Sequence, residues 1–147
     1  MLHYQIVGSG PLLVCLHGFL ESSNIWKTID WEKLGLQALL IDLPGHGKSF
    51  FAPVEDTPCL SYPVNEVLFL LNKLKIKEYN IIGHSLGGYI SLELKKIDPR
   101  CKKNILLNSN YWIDNEEKKK DRIRVADIVF KSKSLFLKQA IPSLFSN

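Results

Sequence analysis

The sequence predicts an α/β domain with a mostly parallel sheet and helices on both faces. Three observations carry this prediction. Short apolar runs at Leu12–Leu16, Ala38–Asp42, Tyr79–Ile82 and Asn104–Leu107 have the length of buried strands. Stretches with helical spacing separate the later runs, and turn-forming loops follow each run directly. In such sheets, function collects where the strands end on their C-terminal side. At 147 residues, 46% of them hydrophobic, the chain has the size of one domain with a real core.

Taken in order, His3–Val7 alternates weakly and ends at Gly8-Ser9-Gly10-Pro11, so a hairpin with Leu12–Leu16 is expected. His17-Gly18-Phe19 comes next. The polar group Ser22-Ser23-Asn24 then offers capping residues for a short helix over about Ile25–Leu34. The strand Ala38–Asp42 runs into Leu43-Pro44-Gly45-His46-Gly47-Lys48-Ser49, whose composition fixes a loop. A proline-bearing linker spans Pro53–Pro63. After it, Val64, Val67, Leu68, Leu71 and Leu74 form an amphipathic stripe, with Pro63 suited to the first helical turn. The strand Tyr79–Ile82, a helix from Leu86 to about Ile97, and the strand Asn104–Leu107 complete the alternation.

Gly83-His84-Ser85-Leu86-Gly87 sits between a strand and a helix, where a G-x-S-x-G pattern describes a nucleophile elbow. The turn exposes the Ser85 hydroxyl, and the close approach of strand and helix leaves no room for a Cβ at Gly83 or Gly87. A serine hydroxyl is a poor nucleophile at neutral pH, so acyl transfer needs a base and donors for the developing oxyanion. Two backbone donors are legible: the N–H of Leu86 at a helix N-terminus, and the N–H of Phe19, held by the His17-Gly18 turn. The loops at His17–Phe19, Asp42–Ser49, Ser85 and Asn108–Tyr111 should share one rim.

Leu16-His17-Gly18-Phe19, the loop Asp42–Ser49 and Gly83–Gly88, in this order and spacing, resemble the α/β-hydrolase family, in particular its small esterase-like members. The resemblance covers roughly residues 1–110. It implies Ser85 as nucleophile, Phe19 and Leu86 as oxyanion donors, His17, Gly18, Gly83, His84 and Gly87 as supports, and hydrolysis of a small ester or acyl substrate through an acyl-enzyme. A serine rather than an aspartate at the elbow argues against the epoxide-hydrolase and dehalogenase branches. Lyases and cofactor-free C–C hydrolases share similar motifs and remain an alternative.

In the family the acid and histidine follow the nucleophile. This sequence has four histidines, His3, His17, His46 and His84, all before Ser85. Asp114 is a weak candidate acid, and His46 the least implausible substitute base. The simpler expectation is an N-terminal part of a longer enzyme, with residues 1–110 as a partial core and 111–147 as the opening of a helical cap. Apolar groups between Ile123 and Phe145 suggest two helices there, and the cap helices together with the open sheet edge of the strand Asn104–Leu107 would offer surfaces for association. A non-catalytic binding module that keeps the fold is the competing reading.

Composition limits other classes. Residues 1–94 hold six Lys/Arg against nine Asp/Glu and residues 95–147 thirteen against six, but the C-terminal lysines come with Glu116, Glu117 and Asp121 at helical spacing. They read as a solvated helix face, and no nucleic-acid partner is expected. Cys15, Cys59 and Cys101 are odd in number, unclustered and form no C-x-x-C, so metal and disulfide readings are weak. No cofactor is expected. With no leader pattern and no apolar run of spanning length, a cytoplasmic protein is expected.

Overall fold

The computed structural model describes residues 1–52, 60–112 and 115–132, together with 136 and 138. Five strands form one sheet: β1 (Tyr4–Val7), β2 (Leu12–Leu16), β3 (Gln37–Ile41), β4 (Tyr79–His84) and β5 (Cys101–Leu107), in the spatial order β1-β3-β2-β4-β5. The last four strands run parallel. The strand order reverses at β2, with β3 on one side and β4 on the other, which is where α/β sheets place their ligand crevices.

β1 does not form the expected hairpin with β2. It pairs antiparallel with β3, Tyr4 opposite Ile41 and Val7 opposite Ala38. The turn residues Gly8–Pro11 specify a reversal of the chain but not the neighbour. The ladder is extended by the bond from the Asp42 N–H to the His3 carbonyl at 3.0 Å.

Period-2 alternation divides the strands between two cores. Val14, Leu16, Leu39, Ile41, Tyr79 and Ile81 face α1 (Ser61–Lys73) and α2 (Leu86–Ile97), which contribute Val64, Val67, Leu70, Leu71, Ile90 and Leu94. Leu13, Cys15, Ala38 and Leu40 face the other way, against Trp26 and Trp31. The α1 stripe is the one its spacing predicts.

On that second face the expected helix over Ile25–Leu34 is instead a 3-10 helix, Ser23–Trp26, followed by turns. In a continuing α-helix the Trp26 carbonyl would accept from the Asp30 N–H. Here it accepts from the Trp31 indole at 3.1 Å and the Ile29 N–H at 3.4 Å. Burying both indoles over the sheet outweighs the helical pattern.

The strand starts are locked by a polar cluster. Asp98, almost fully buried, accepts the Tyr79 hydroxyl at 3.0 Å and Arg100 Nη2 at 2.8 Å, while Arg100 Nη1 donates to the Ile76 carbonyl at 3.0 Å. This bracing lies at the rim opposite the loops that follow the strands.

β5 begins at Cys101, three residues earlier than its apolar run, because Lys102 and Lys103 extend it while exposed. It is the outermost described strand on its side of the sheet, and Ile105 and Leu107 are 49% and 41% exposed.

The chain divides into two compact units, Met1–Tyr111 and Trp112–Asn147. In the second, α3 (Glu116–Lys131) starts at Asn115, whose side chain accepts from the Lys118 N–H at 2.9 Å, with Glu116 and Glu117 in the first turn. Those acids and Lys131 in the last turn complement the helix dipole. Of the expected second cap helix only Phe136 and Lys138 are described, both helical, and Asp114 lies outside the described residues. No described helix is long and apolar enough to cross a membrane.

Candidate active site

The four parallel strands end at Leu16, Ile41, His84 and Leu107, so the loops that follow share one rim of the sheet. At its middle, where β2 and β4 pair, lie the His17–Phe19 loop and Ser85. Ser85 has φ 47° and ψ −112°, backbone that a side-chain-bearing residue adopts at a cost of about 1–3 kcal/mol. The surroundings enforce it. Its N–H donates to the Leu107 carbonyl at 3.1 Å, and its carbonyl accepts from the Gly88 N–H and the Ser109 hydroxyl, each at 2.9 Å.

The glycines permit this turn. A Cβ on Gly83 would lie 2.3 Å from the Gly87 carbonyl oxygen, and one on Gly87 2.5 Å from that of Leu16. The second contact shows how tightly the first turn of α2 presses on the end of β2. At Gly88 the neighbour is a side chain, since a Cβ there would meet the Ser109 hydroxyl at 2.2 Å. Ser109 is a support that the sequence motif does not reveal. Its only signal is the second glycine of Gly87-Gly88, which makes room for it. Leu86 opens α2, so its N–H belongs to the group of helix-start donors without an intrahelical acceptor.

The loop after β2 is fixed peptide by peptide. His17, fully buried, donates from Nδ1 to the Gly18 carbonyl at 2.7 Å and accepts the Leu43 N–H on Nε2 at 2.9 Å. Because a peptide is planar and trans, fixing the Gly18 carbonyl also fixes the opposite direction of the Phe19 N–H. Burial, the dominant influence, lowers the His17 imidazole below its ordinary 6.5, which keeps the neutral tautomer that this bonding pattern needs. Phe19 and Leu20 stand at the surface, 51% and 43% exposed, and Tyr89 is half-buried.

Asp42 organises the neighbouring loop. Its carboxylate accepts from the Ser23 N–H at 2.8 Å, the Lys48 N–H at 2.9 Å and His3 Nδ1 at 3.0 Å. Burial pushes this carboxyl upward, but the converging donors outweigh it and hold the group below its ordinary value. Ser49 joins in, donating to the Asp42 carbonyl at 2.6 Å.

The histidines therefore all have identifiable partners. His3 meets Asp42, and His17 uses both ring nitrogens on backbone. His46 Nδ1 lies 3.0 Å from the Pro44 carbonyl, its ring 5.2 Å from that of His17 and 5.8 Å from that of Phe19. His84 Nδ1 lies 2.9 Å from Glu21 Oε2. The rim thus brings together Ser85, Leu86, Phe19, His17 and Gly18. Of the cysteines, Cys15 and Cys101 are buried and free, burial pushing the Cys15 thiol up to about 12, and Cys59 lies outside the described residues. No His/Cys/Asp/Glu group among the described residues is arranged to hold a metal.

The sequence profile of the alpha/beta hydrolase fold matches residues 11–125. An uncharacterized protein of Mycobacterium tuberculosis is 33% identical over 72% of this chain and 31% of its own length. Bifunctional epoxide hydrolase 2 of Sus scrofa is 29% identical over 88% of this chain and 24% of its own. Among solved structures, a thermophilic esterase from Thermogutta terrifontis superposes with a TM-score of 0.83 at 25% identity, covering 96% of this chain and 53% of that one. The chain thus spans about a third or less of these curated relatives and about half of the solved esterase.

Proposed function

The chain belongs to the α/β-hydrolase fold family, and on that premise we propose that it is the nucleophile-bearing part of a serine hydrolase acting on a carboxylic ester or related acyl substrate. The observation that carries this reading is the backbone of Ser85, held at positive φ by bonds from both its N–H and its carbonyl. Strain so enforced at a serine is hard to explain by folding alone, and exposing a hydroxyl at the mouth of a strand-to-helix turn accounts for it. A serine at this position also separates the chain from an epoxide-opening reading.

In the proposed reaction Ser85 Oγ attacks the acyl carbon and its proton passes to a histidine base. The carbonyl π pair moves onto oxygen, where the N–H groups of Phe19 and Leu86 stabilise it. The C–O bond to the alcohol then breaks, the alcohol takes the proton, and water hydrolyses the acyl-enzyme by the reverse sequence. We place the base and its orienting acid outside these 147 residues, because the family order puts the histidine after the nucleophile and no histidine follows Ser85.

Turnover of p-nitrophenyl acetate tests this proposal. The 147-residue chain should hydrolyse it orders of magnitude more slowly than a chain extended to include an acid and a histidine. Absence of turnover in the extended chain would favour the non-catalytic reading. Ordinary esterase rates in the 147-residue chain would instead make His46 the base.

A further inference from the structure

Glu21 lies on the loop that follows Phe19, 63 residues from His84 in sequence, yet its Oε2 is the meeting point of the two halves of the site. That one oxygen accepts the Gly18 N–H at 2.6 Å and lies 2.9 Å from His84 Nδ1, with the two side chains only 28% and 21% exposed. Gly18 is hemmed in by the same pair: a Cβ there would lie 2.8 Å from Glu21 Oε2 and 3.0 Å from His84 Nδ1. On its other side, the Gly18 carbonyl accepts from His17 Nδ1 and from the Glu21 N–H, at 2.7 and 3.4 Å. Both peptide planes flanking Gly18 are therefore pinned, one by the Glu21 carboxylate and the other by His17 and the Glu21 backbone.

From this juxtaposition we propose that Glu21 is a positioning residue that latches the Phe19 loop to the elbow through His84, setting the direction of the Phe19 N–H relative to Ser85. Its catalytic consequence rests on the serine-hydrolase reading above, whereas the latch itself does not. The carboxylate acts by geometry. Two donors converging on a single acceptor fix the distance between Gly18, one residue before Phe19, and His84, one residue before Ser85. A charge-assisted bond from a backbone N–H to a carboxylate is short and strong, in keeping with the 2.6 Å contact. Misplacing an oxyanion donor by a fraction of an ångström weakens transition-state binding without weakening binding of the ground state.

Two variants separate this role from simple stabilisation. Glu21→Ala removes the acceptor, and Glu21→Gln keeps an acceptor oxygen without the charge. In the extended chain, phosphonylation of Ser85 by a fluorophosphonate should slow roughly ten- to a hundredfold in the alanine variant. The loss should lie in the maximal inactivation rate, not in the half-saturating probe concentration, and the glutamine variant should recover most of it. In the 147-residue chain, amide exchange of Gly18 should accelerate in Glu21→Ala and stay slow in Glu21→Gln, with the His84 imidazole nitrogen shifts moving in the alanine variant.

Unchanged Gly18 exchange and unchanged His84 shifts in Glu21→Ala would overturn the latch. So would a loss confined to the half-saturating concentration, or one explained by a lower fraction of folded protein. If the unsubstituted extended chain is not labelled at Ser85, the serine-hydrolase reading fails, while the exchange and shift measurements still decide the latch.

Discussion

Ser85 pairs a chemical requirement with a conformational cost. On the proposed reading the hydroxyl is presented by a backbone turned through positive φ, and any residue with a Cβ is strained there. Replacing Ser85 by glycine or by alanine removes the hydroxyl in both cases but relieves the strain only with glycine. Glycine pays for that freedom with greater unfolded-state entropy, so the net gain is modest. Denaturant unfolding should find Ser85→Gly more stable than Ser85→Ala by about 1 kcal/mol. Equal stabilities, or a more stable alanine variant, would mean that the turn is not strained. At this scale the motif residues Gly83, Ser85 and Gly87 are legible in sequence because their spacing is local. Glu21 and Ser109 are not, because each acts across a fold-dependent contact, Glu21 on His84 and Ser109 on the Ser85 carbonyl.

The elements divide the work between the two rims of the sheet. One rim carries the loops around Ser85, and the other is braced where β4 and β5 begin, by Tyr79, Asp98 and Arg100. Burial raises the Asp98 carboxyl, but hydrogen bonds from Arg100 and Tyr79 prevail and hold it below its ordinary 3.8. The sign of the linkage follows: the unfolded chain binds the Asp98 proton at higher pH than the folded one. The stabilisation from this carboxylate is complete above 3.8 and is lost as pH falls from there through the folded value. Unfolding free energy measured between about pH 2 and 6 should fall on acidification, and less steeply in Asp98→Asn. The asparagine variant should also be less stable at neutral pH, since Arg100 loses its partner. An unaltered slope would show that Asp98 does not carry this dependence.

Element identity was more legible than element pairing. α1 and α2 follow from their apolar spacing and from Pro63 and the elbow, and the buried strands from their apolar runs. The β1–β3 pairing was hidden because a Gly/Pro turn marks a reversal and not a neighbour. The 3-10 helix was hidden because two indoles, Trp26 and Trp31, override a helix-compatible stretch. Lys102 and Lys103 concealed the first half of β5, since an outer strand can carry charge where a central one cannot.

Over the whole molecule, three loops far apart in sequence converge because β2, β3 and β4 are parallel and end on one rim. That convergence is why His17–Phe19, Asp42–Ser49 and Gly83–Gly88 can be read as one site, and their order along the chain makes it legible in the sequence. The base has no counterpart in that order, since all four histidines precede Ser85. The central claim is that Ser85 is a nucleophile. Its most direct test is to treat the extended chain with a fluorophosphonate and map the adduct by tandem mass spectrometry. A single adduct on the peptide containing Ser85, absent from Ser85→Ala, is the predicted result; no adduct, or one on another residue with Ser85 unmodified, would contradict it.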